Sequence, residues 1–442
     1  MSSNFRFLFI AVLSISTAFA GKPKKGYIDE DDAPGIFNDK VLHEIHINFY
    51  QKEIWDELME DKHIRDSTQE TNYRLAEVIV DKVFYDSTGI RLKGQSSFDY
   101  STTPKKSIKI DFDEIDRGVK HQGERKLNLL NVFKDPSFIR EKLYFDVMDV
   151  MACPIPKSSY AKVYINGKYW GLYMVVQQID KHYLDDRFDN NEGNLYKGQP
   201  QPTMKWEGER VSEYLRRYIK KHDGGGDGYG DLMGLMAAIS KPGLHMEDPM
   251  AYQIRLDRIL NTHDMMKAWA VNNYLVNIDA YNMKLRHNFY LYKNPGSGKF
   301  EWITYDGNYA FLAWSRDLPL KNGINFDILY VDPKNEGSLQ GHMFQNPYYR
   351  EEYLDIMYTL VNAAVIDTLQ RKAEGYRNLI REAVYEDPHK FFTNEDFEAN
   401  YAKTLGNPEI EGQFYPGVFA FLFERREAVI RQLQDLGYTF TD

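Results

Sequence analysis

Three polar residues in one stretch of the chain have side chains suited to metal-assisted phosphoryl transfer. They are Asp279, Asn288 and Asp306, and they lie between residues 277 and 308. A carboxylate and an amide oxygen are hard ligands that suit magnesium, and a second carboxylate can orient a hydroxyl nucleophile. Such chemistry depends mostly on positioning and charge neutralisation. Asp and Asn are also common turn formers, so spacing alone leaves the two interpretations open.

The elements around these residues explain how they could meet. The sequence pattern predicts a helix over 264–276, followed by two short strands at 288–292 and 300–304 around an Asn-Pro-Gly turn. A hairpin brings its two ends together, so we expect Asn288 and Asp306 to lie side by side.

The chain before residue 180 is rich in predicted strands. Apolar and polar residues alternate, as in half-buried strands, at 42–49, 75–84, 89–92, 106–112, 159–165 and 169–177. Asn166-Gly167 between the last two strands is a strong hairpin signal. One helix, from Asp135 to Met151, interrupts the strands, with Asp135-Pro136-Ser137 as its predicted N-cap. Helical patterns dominate the rest, so the sequence predicts an α+β chain with a β-rich part at 41–180 and a mainly helical part at 181–442.

Composition limits the classes of function. The chain has 442 residues, of which 43% are hydrophobic, which is enough for a sizeable core. A net charge of −10 argues against a nucleic-acid surface. The Gly/Asp-rich segment 222–231 lacks the ligand order of an EF-hand, so we interpret it as a connector.

The N-terminus predicts export. Residues 1–20 have the pattern of a secretory signal peptide: Arg6, an apolar run at 7–15, and the small-residue site Ala18-Phe19-Ala20. A charged, turn-rich segment at 21–40 is interpreted as a flexible leader. No later run approaches transmembrane length, so we expect no membrane span in the mature protein. Cys153 is the single cysteine, which leaves bacterial export and a eukaryotic secretory pathway both open.

Several stretches, taken in order, resemble the spore coat protein H (CotH) kinase family. They are Arg91 to Ser97 (RLKGQSS), Pro104 to Ile110 (PKKSIKI), Asp135 to Leu143 (DPSFIREKL), Val163 to Tyr173 (VYINGKYWGLY), His287 to Tyr292 (HNFYLY) and the Asp306 motif. The resemblance covers about residues 85–315. The chain departs from ordinary protein kinases because it lacks G-x-G-x-x-G, H-R-D and D-F-G. Its Asp279 and Asn288 are nine residues apart, farther than in the usual kinase catalytic loop.

The resemblance implies an atypical protein-kinase-like bilobal fold, with a β-rich N-lobe and a mainly helical C-lobe. It implies ATP with Mg²⁺ or Mn²⁺ as cofactors, and Ser or Thr of exported or surface proteins as acceptors. Asp279 would be the catalytic aspartate, and Asn288 and Asp306 would be the metal ligands. Lys106 would be the nucleotide-phosphate lysine with Glu141 as its ion-pair partner, although Lys105 and Lys109 remain alternatives. The other nucleotide contacts would come from Gly94, Gln95, Ser96 and Ser97 over the phosphates, from Met174, Gln177 and Gln178 at the hinge, and from Trp302 against adenine.

Two other functions remain open at the level of sequence. Some fungal relatives in the family act as surface adhesins, so the fold could serve for binding without catalysis. A kinase-like site could also transfer AMP, because the orientation of the nucleotide depends on geometry rather than on residue type.

Overall fold

The fold of the chain is known from a computed structural model, and it is a mixed α+β structure. The described residues are Tyr27 and the ranges 30–51, 54–68, 72–226, 228–243, 248–313 and 318–440. The predicted signal peptide, residues 1–20, lies outside them.

Alternating strands in the first part of the chain close into a barrel. Within the described residues the strand order is β1-β2-β3-β4-β5-β7-β6, and parallel pairing of β1 with β6 completes the ring. Apolar side chains fill the interior, as the alternation requires; Ile45 and Ile47 of β1 are fully buried. The strands are β1 (Leu42–Phe49), β2 (Arg74–Val80), β3 (Val83–Lys93), β4 (Ser107–Asp111), β5 (Lys126–Leu130), β6 (Ser158–Ile165) and β7 (Lys168–Gln177).

Two turns show how far local signals set this barrel. The predicted β6–β7 hairpin is present, with Asn166 and Gly167 in the left-handed region at φ +48° and +76°. The predicted strand 75–84 is wrong at its end, because the chain turns at Asp81 and Lys82 and returns as β3. Asp81 is held there by the Glu44 backbone N–H, which donates to its Oδ1 over 2.9 Å.

Three helices accompany the barrel: α1 (Ile54–Thr68), α2 (Ser96–Asp99) and α3 (Arg140–Val150). The sequence pattern did not predict α1. Helix α3 begins five residues later than predicted, because Phe138 has φ +60° and cannot lie within a helix. Asp135 still supports the start of α3, since its Oδ2 accepts from the Arg140 backbone N–H at 2.8 Å.

Residues 30–40 lie against the barrel instead of extending as a leader. Ile36 is 2% exposed and belongs to the barrel core, and its backbone N–H donates to Gln122 Oε1 over 2.7 Å. The Ser159 hydroxyl donates to the Ile36 carbonyl. The predicted flexible leader is therefore wrong over this range, because a buried apolar side chain and these hydrogen bonds hold it in place.

A second sheet and the remaining helices form the rest of the structure. The sheet has the order β11-β10-β8-β9, and a large apolar core joins it to α3 and to the C-terminal helices. The predicted β10–β11 hairpin is present, whereas β8 and β9 were not predicted. Across the described residues, no helix combines the length and the apolar character needed to cross a membrane. The elements are α4 (Lys181–Phe188), β8 (Leu195–Gly198), β9 (Tyr218–His222), α5 (Gly230–Ser240), α6 (Pro249–Asp257), α7 (Thr262–Tyr274), β10 (Phe289–Lys293), β11 (Phe300–Thr304), α8 (Leu320–Ile324), α9 (Leu339–Gln345), α10 (Pro347–Ala363), α11 (Ile366–Glu386), α12 (Asn394–Ala399), β12 (Leu405–Gly406), β13 (Phe414–Tyr415) and α13 (Val418–Asp435).

Candidate functional site

The β10–β11 hairpin brings Asn288 and Asp306 to the same end. Phe289 pairs with Thr304 as the first register pair, and the Tyr305 N–H reaches the Asn288 carbonyl at 3.4 Å. Asn288 directly precedes β10 and Asp306 follows β11 by two residues. The two candidate metal ligands therefore flank one hairpin end, as the strand pattern predicts.

Asp279 joins them despite the long loop between it and Asn288. The Asn288 Nδ2 donates to Asp279 Oδ2 over 2.8 Å, and the His287 N–H donates to the Asp279 carbonyl over 3.0 Å. The loop interior is anchored by Asn282, which is 1% exposed and donates to the Trp269 carbonyl. The residues between Asp279 and Asn288 fold back, so the two ends of the loop touch. The hydrogen bond to Asp279 uses the Asn288 amide nitrogen and not its oxygen.

Both candidate ligands have a left-handed backbone. Asn288 and Asp306 each have φ +64°. Asn and Asp adopt this conformation more readily than other non-glycine residues, and such positions cluster at functional sites. The backbone geometry therefore favours the same residue types that the metal chemistry requires.

Three carboxyl groups gather at this hairpin end, and we call Glu141, Asp279 and Asp306 the acidic group. Burial raises the pKa of Asp279 to about 7, and the nearby Asp306 carboxyl adds to the effect. Burial also raises the pKa of Asp306, while Lys93 and Lys197 oppose it. For Glu141, burial and Asp306 together raise the pKa. Carboxylates that repel one another in a shielded place are stabilised by a multivalent cation.

Glu141 also holds the segment that follows Asp306. The Gly307 N–H donates to Glu141 Oε1 over 3.1 Å. A Cβ atom at Gly307 would lie 2.0 Å from Tyr144 Cδ1, so glycine is required for this close approach to α3. The Tyr144 hydroxyl donates to Asn272 Oδ1 over 2.8 Å, which ties α3 to α7. Helix α3 thus carries Glu141 to the site and fixes its distance from Asp306.

Lys93, at the end of β3, interacts electrostatically with two members of the acidic group, Asp306 and Glu141. Burial lowers the pKa of Lys93 to about 8, while Asp306 and Glu141 oppose the effect by attraction. The predicted partner, Lys106, lies elsewhere: its Nζ donates to the carbonyls of Phe98 and Ser101 over 2.9 and 3.1 Å. The structure therefore contradicts the pairing of Lys106 with Glu141, because the Lys106 ammonium is engaged by α2 and the loop after it.

Of the two alternative lysines, Lys105 lies away from the site and Lys109 lies beside Lys93. Lys105 is fully buried in an ion pair with Asp387 at 2.6 Å, so it lies away from the site. Lys109 faces Arg91 across the β3–β4 ladder and donates to Gln178 Oε1. Burial, with Arg91 and Lys93 nearby, lowers the pKa of Lys109 well below its usual range.

Lys93 and Lys197 thus neighbour the acidic group, and Arg91 and Lys109 lie beside them; we call these four side chains the basic group. Lys197 lies on β8, opposite Tyr290 of β10. Burial lowers the pKa of Lys197 to about 7, neighbouring lysines add to the effect, and Asp306 opposes it. A bound polyanion would relieve the repulsion that lowers the pKa values of these lysines, and a nucleoside triphosphate has the matching charge.

The predicted phosphate loop follows Lys93 directly. Gly94 has φ +96°, and a Cβ atom there would lie 2.3 Å from the Ser97 hydroxyl, so the turn requires glycine. Gln95 precedes α2, and Ser96 accepts a 3.5 Å hydrogen bond from Tyr309, which lies three residues after Asp306. The loop and the metal-ligand segment are therefore neighbours.

Three predicted nucleotide contacts do not join the site. Trp302 is 2% exposed and stacks on Phe289 at 4.0 Å within the large core. Met174 is 2% exposed in the same core. Gln177 is engaged elsewhere, since its Nε2 donates to Glu124 Oε1 over 2.8 Å. The side chains of Trp302, Met174 and Gln177 are therefore not available to adenine, because packing and hydrogen bonds already occupy them. Gln178 remains beside the basic group through Lys109.

Sequence reasoning missed Lys93 and Lys197. Arg91 and Lys93 are two residues apart, so they lie on the same face of β3, which ends just before the Gly94 turn. Two basic residues on one strand face next to a glycine turn are a signal that could have selected Lys93. Lys197 lies on the four-residue strand β8, which has no comparable pattern in the sequence.

Comparisons with known proteins add a family to this geometry. A family model described as CotH kinase protein matches residues 90–408, well over half of the chain. The matched region contains the acidic group and the basic group. Inner spore coat protein H of Bacillus subtilis (strain 168) is 24% identical over 284 residues, which cover 63% of this chain and 74% of that protein.

Proposed function

Because this chain belongs to the CotH kinase protein family, we propose that it is an exported enzyme that transfers the γ-phosphate of ATP to Ser or Thr of exported or surface proteins. The observation that carries the proposal is the meeting of the acidic group with Lys93 and Asn288 at one place. Phosphoryl transfer needs such an arrangement, because its catalysis is mostly positioning and charge neutralisation.

The bilobal kinase fold is part of this proposal. Lys93 and Glu141 come from the barrel and its helix α3, whereas Asp279, Asn288 and Asp306 come from the helix-rich part with the second sheet. A nucleotide between the two parts would be contacted from both, as in protein kinases. The Gly94–Ser97 loop beside Tyr309 supports the same placement of the phosphates.

Each residue has a role that its contacts support. Asp279, with its pKa raised to about 7, accepts or aligns the acceptor hydroxyl. Asn288 and Asp306 would hold Mg²⁺ or Mn²⁺, which neutralises the phosphate oxygens when bound. Lys93 neutralises the phosphates from the barrel, opposite the β10–β11 hairpin, and Glu141 keeps Lys93 in place by attraction.

Export is supported by two separate observations. Residues 1–20 have the pattern of a signal peptide. The relative described above is named an inner spore coat protein, which fits a location at a surface. The acceptor proteins of an exported enzyme would be found in the same compartment.

Transfer from labelled ATP tests the proposal. The purified protein is incubated with Mg²⁺ or Mn²⁺, a generic acceptor protein and ATP labelled at the γ- or the α-phosphate. We expect γ-label on the acceptor, and loss of transfer in Asp279→Asn and in Asp306→Asn. The matched control is Asp223→Asn, an exposed carboxylate paired with Lys220, which should leave transfer unchanged.

The other outcomes separate the alternatives. Transfer of α-label without γ-label would replace the kinase by a nucleotidyl transferase. Absence of both labels, together with absence of ATP binding, would refute catalysis and favour a binding protein on this fold.

A further inference from the structure

A second cluster of ligating side chains lies outside the acidic group. Glu124 lies at the turn before β5, and His182 and Asp186 lie four residues apart on α4, so they share one helix face. One nitrogen of His182 and one oxygen each from Glu124 and Asp186 all lie within 4.8 Å of one another. Among the described residues this is the one such group of three or more.

The distances suit a single ion. His182 Nε2 and Glu124 Oε1 are 3.5 Å apart. Two ligands of a tetrahedral zinc ion with bonds of about 2 Å are separated by about 3.3 Å. The Asp186 oxygen lies within 4.8 Å of the other two ligand atoms, and its side chain is 25% exposed.

Glu124 provides an independent indication of a missing partner. The residue is 3% exposed, and its Oε2 is buried without a hydrogen-bond partner. Gln177 Nε2 donates to Glu124 Oε1 over 2.8 Å and to Asp186 Oδ2 over 3.3 Å, so the amide satisfies one oxygen of each carboxylate. A buried carboxylate oxygen without a donor is costly, and a cation held by both oxygens of Glu124 would satisfy Oε2.

The charge and the ligand types of the cluster also favour a bound cation. The cluster has two carboxylates, and Lys157 provides one cation at 2.6 Å from Asp186 Oδ2. An imidazole nitrogen with carboxylate oxygens is a ligand set for zinc and similar divalent metals, whereas magnesium and calcium prefer oxygen alone.

We propose that Glu124, His182 and Asp186 bind one divalent cation of the zinc type, which ties the turn before β5 to α4. Helix α4 begins four residues after β7 and leads from the barrel into the second sheet. The ion would therefore fix the connection between these two parts. This site is separate from the one that we propose for Mg²⁺ or Mn²⁺ at Asn288 and Asp306.

Zinc titration of the metal-stripped protein tests this site. We expect calorimetry to show one Zn²⁺ per chain with micromolar or tighter affinity, and a rise in Tm on binding. His182→Gln and Glu124→Gln should each weaken the affinity at least tenfold. Lys157→Met removes the competing cation from Asp186 and should tighten zinc binding.

The matched control is His46→Gln. His46 Nε2 lies 3.7 Å from Glu44 Oε2 on the barrel exterior, a histidine–carboxylate pair outside the three-residue cluster. This variant should bind zinc as the unchanged protein does. Absence of stoichiometric zinc, or an affinity that His182→Gln and Glu124→Gln leave unchanged, would overturn the proposal. Titration of Asp306→Asn keeps the result independent of phosphoryl transfer, because that variant retains the zinc ligands.

Discussion

Replacement of Lys93 or Lys106 by methionine separates the two lysines next to the phosphate loop. Methionine keeps much of the side-chain length and removes the charge. Lys93 faces Asp306 and Glu141, whereas the Lys106 ammonium donates to two backbone carbonyls and its side chain is largely buried. The first substitution should therefore affect catalysis, and the second should affect stability.

The expected magnitudes follow from these contacts. Loss of one cation that neutralises the transferred phosphate costs about 10²–10³-fold in rate. Lys93→Met should change stability little, because burial already disfavours the charged form of Lys93. Lys106→Met leaves two carbonyls without their charged donor, which should lower the free energy of unfolding by roughly 2–4 kcal/mol. Its transfer rate should stay within about tenfold of the original, since Lys106 lies outside the acidic group's surroundings.

Two measurements on the same preparations decide the matter. Transfer of γ-label is followed at limiting and saturating ATP, and urea unfolding gives the stability of each variant. Lys93→Arg keeps the charge and should recover part of the activity that Lys93→Met loses. If Lys106→Met abolished transfer in a stably folded protein while Lys93→Met remained active, Lys106 would be the nucleotide lysine and our reasoning from contacts would be refuted.

Three further predictions concern stability. Burial lowers the pKa of His121 to about 4 in the folded protein, whereas the unfolded chain has the ordinary value of about 6.5. The unfolded chain therefore binds a proton at higher pH than the folded protein does. About 3 kcal/mol of the free energy of unfolding should be lost as the pH falls from about 6.5 to 4. Urea unfolding at several pH values should show this dependence, and His121→Gln should reduce it; an unchanged dependence would contradict the assignment. Trp302→Ala should lower the free energy of unfolding in urea by roughly 3–5 kcal/mol, because it removes a buried ring that stacks on Phe289. The ATP affinity of the folded protein should stay within about threefold. A loss of ATP affinity without a loss of stability would instead support a contact between Trp302 and adenine. Lys105→Met should lower the free energy of unfolding by roughly 3–5 kcal/mol, because it leaves the buried Asp387 carboxylate without its cation. Adding Asp387→Asn to that variant should recover part of the lost stability. If the double variant recovered none, the ion pair would not be the cause of the loss.

The sequence predicted elements whose signals are local. Strand β1 follows the apolar alternation of residues 42–49, and the Asn166-Gly167 turn has the backbone that its residue types favour. The β10–β11 hairpin is of the same kind, and with it the approach of Asn288 to Asp306. Neighbouring residues alone decide such features, because periodicity and turn preference act within a few positions.

Helix α1 shows why other elements escaped prediction. Asp61 and Lys62 lie on its buried side at 8% and 2% exposure, so the face does not appear apolar in the sequence. Their charges are acceptable because Arg74 pairs with Asp61, and Lys62 pairs with Asp66. One of these partners lies on another element, and the sequence pattern does not show which residues meet across elements.

By itself, the sequence determined the α+β class, the family and the candidate trio of Asp279, Asn288 and Asp306. Tertiary structure decided which lysine accompanies the trio. Closure of the barrel directs Lys93 toward Asp306 and Glu141, while Lys106, just before the next strand, turns to the carbonyls of Phe98 and Ser101. The physical reason is that a side chain's partner depends on the face of the strand and on the elements packed against that face, and both arise only when distant segments assemble.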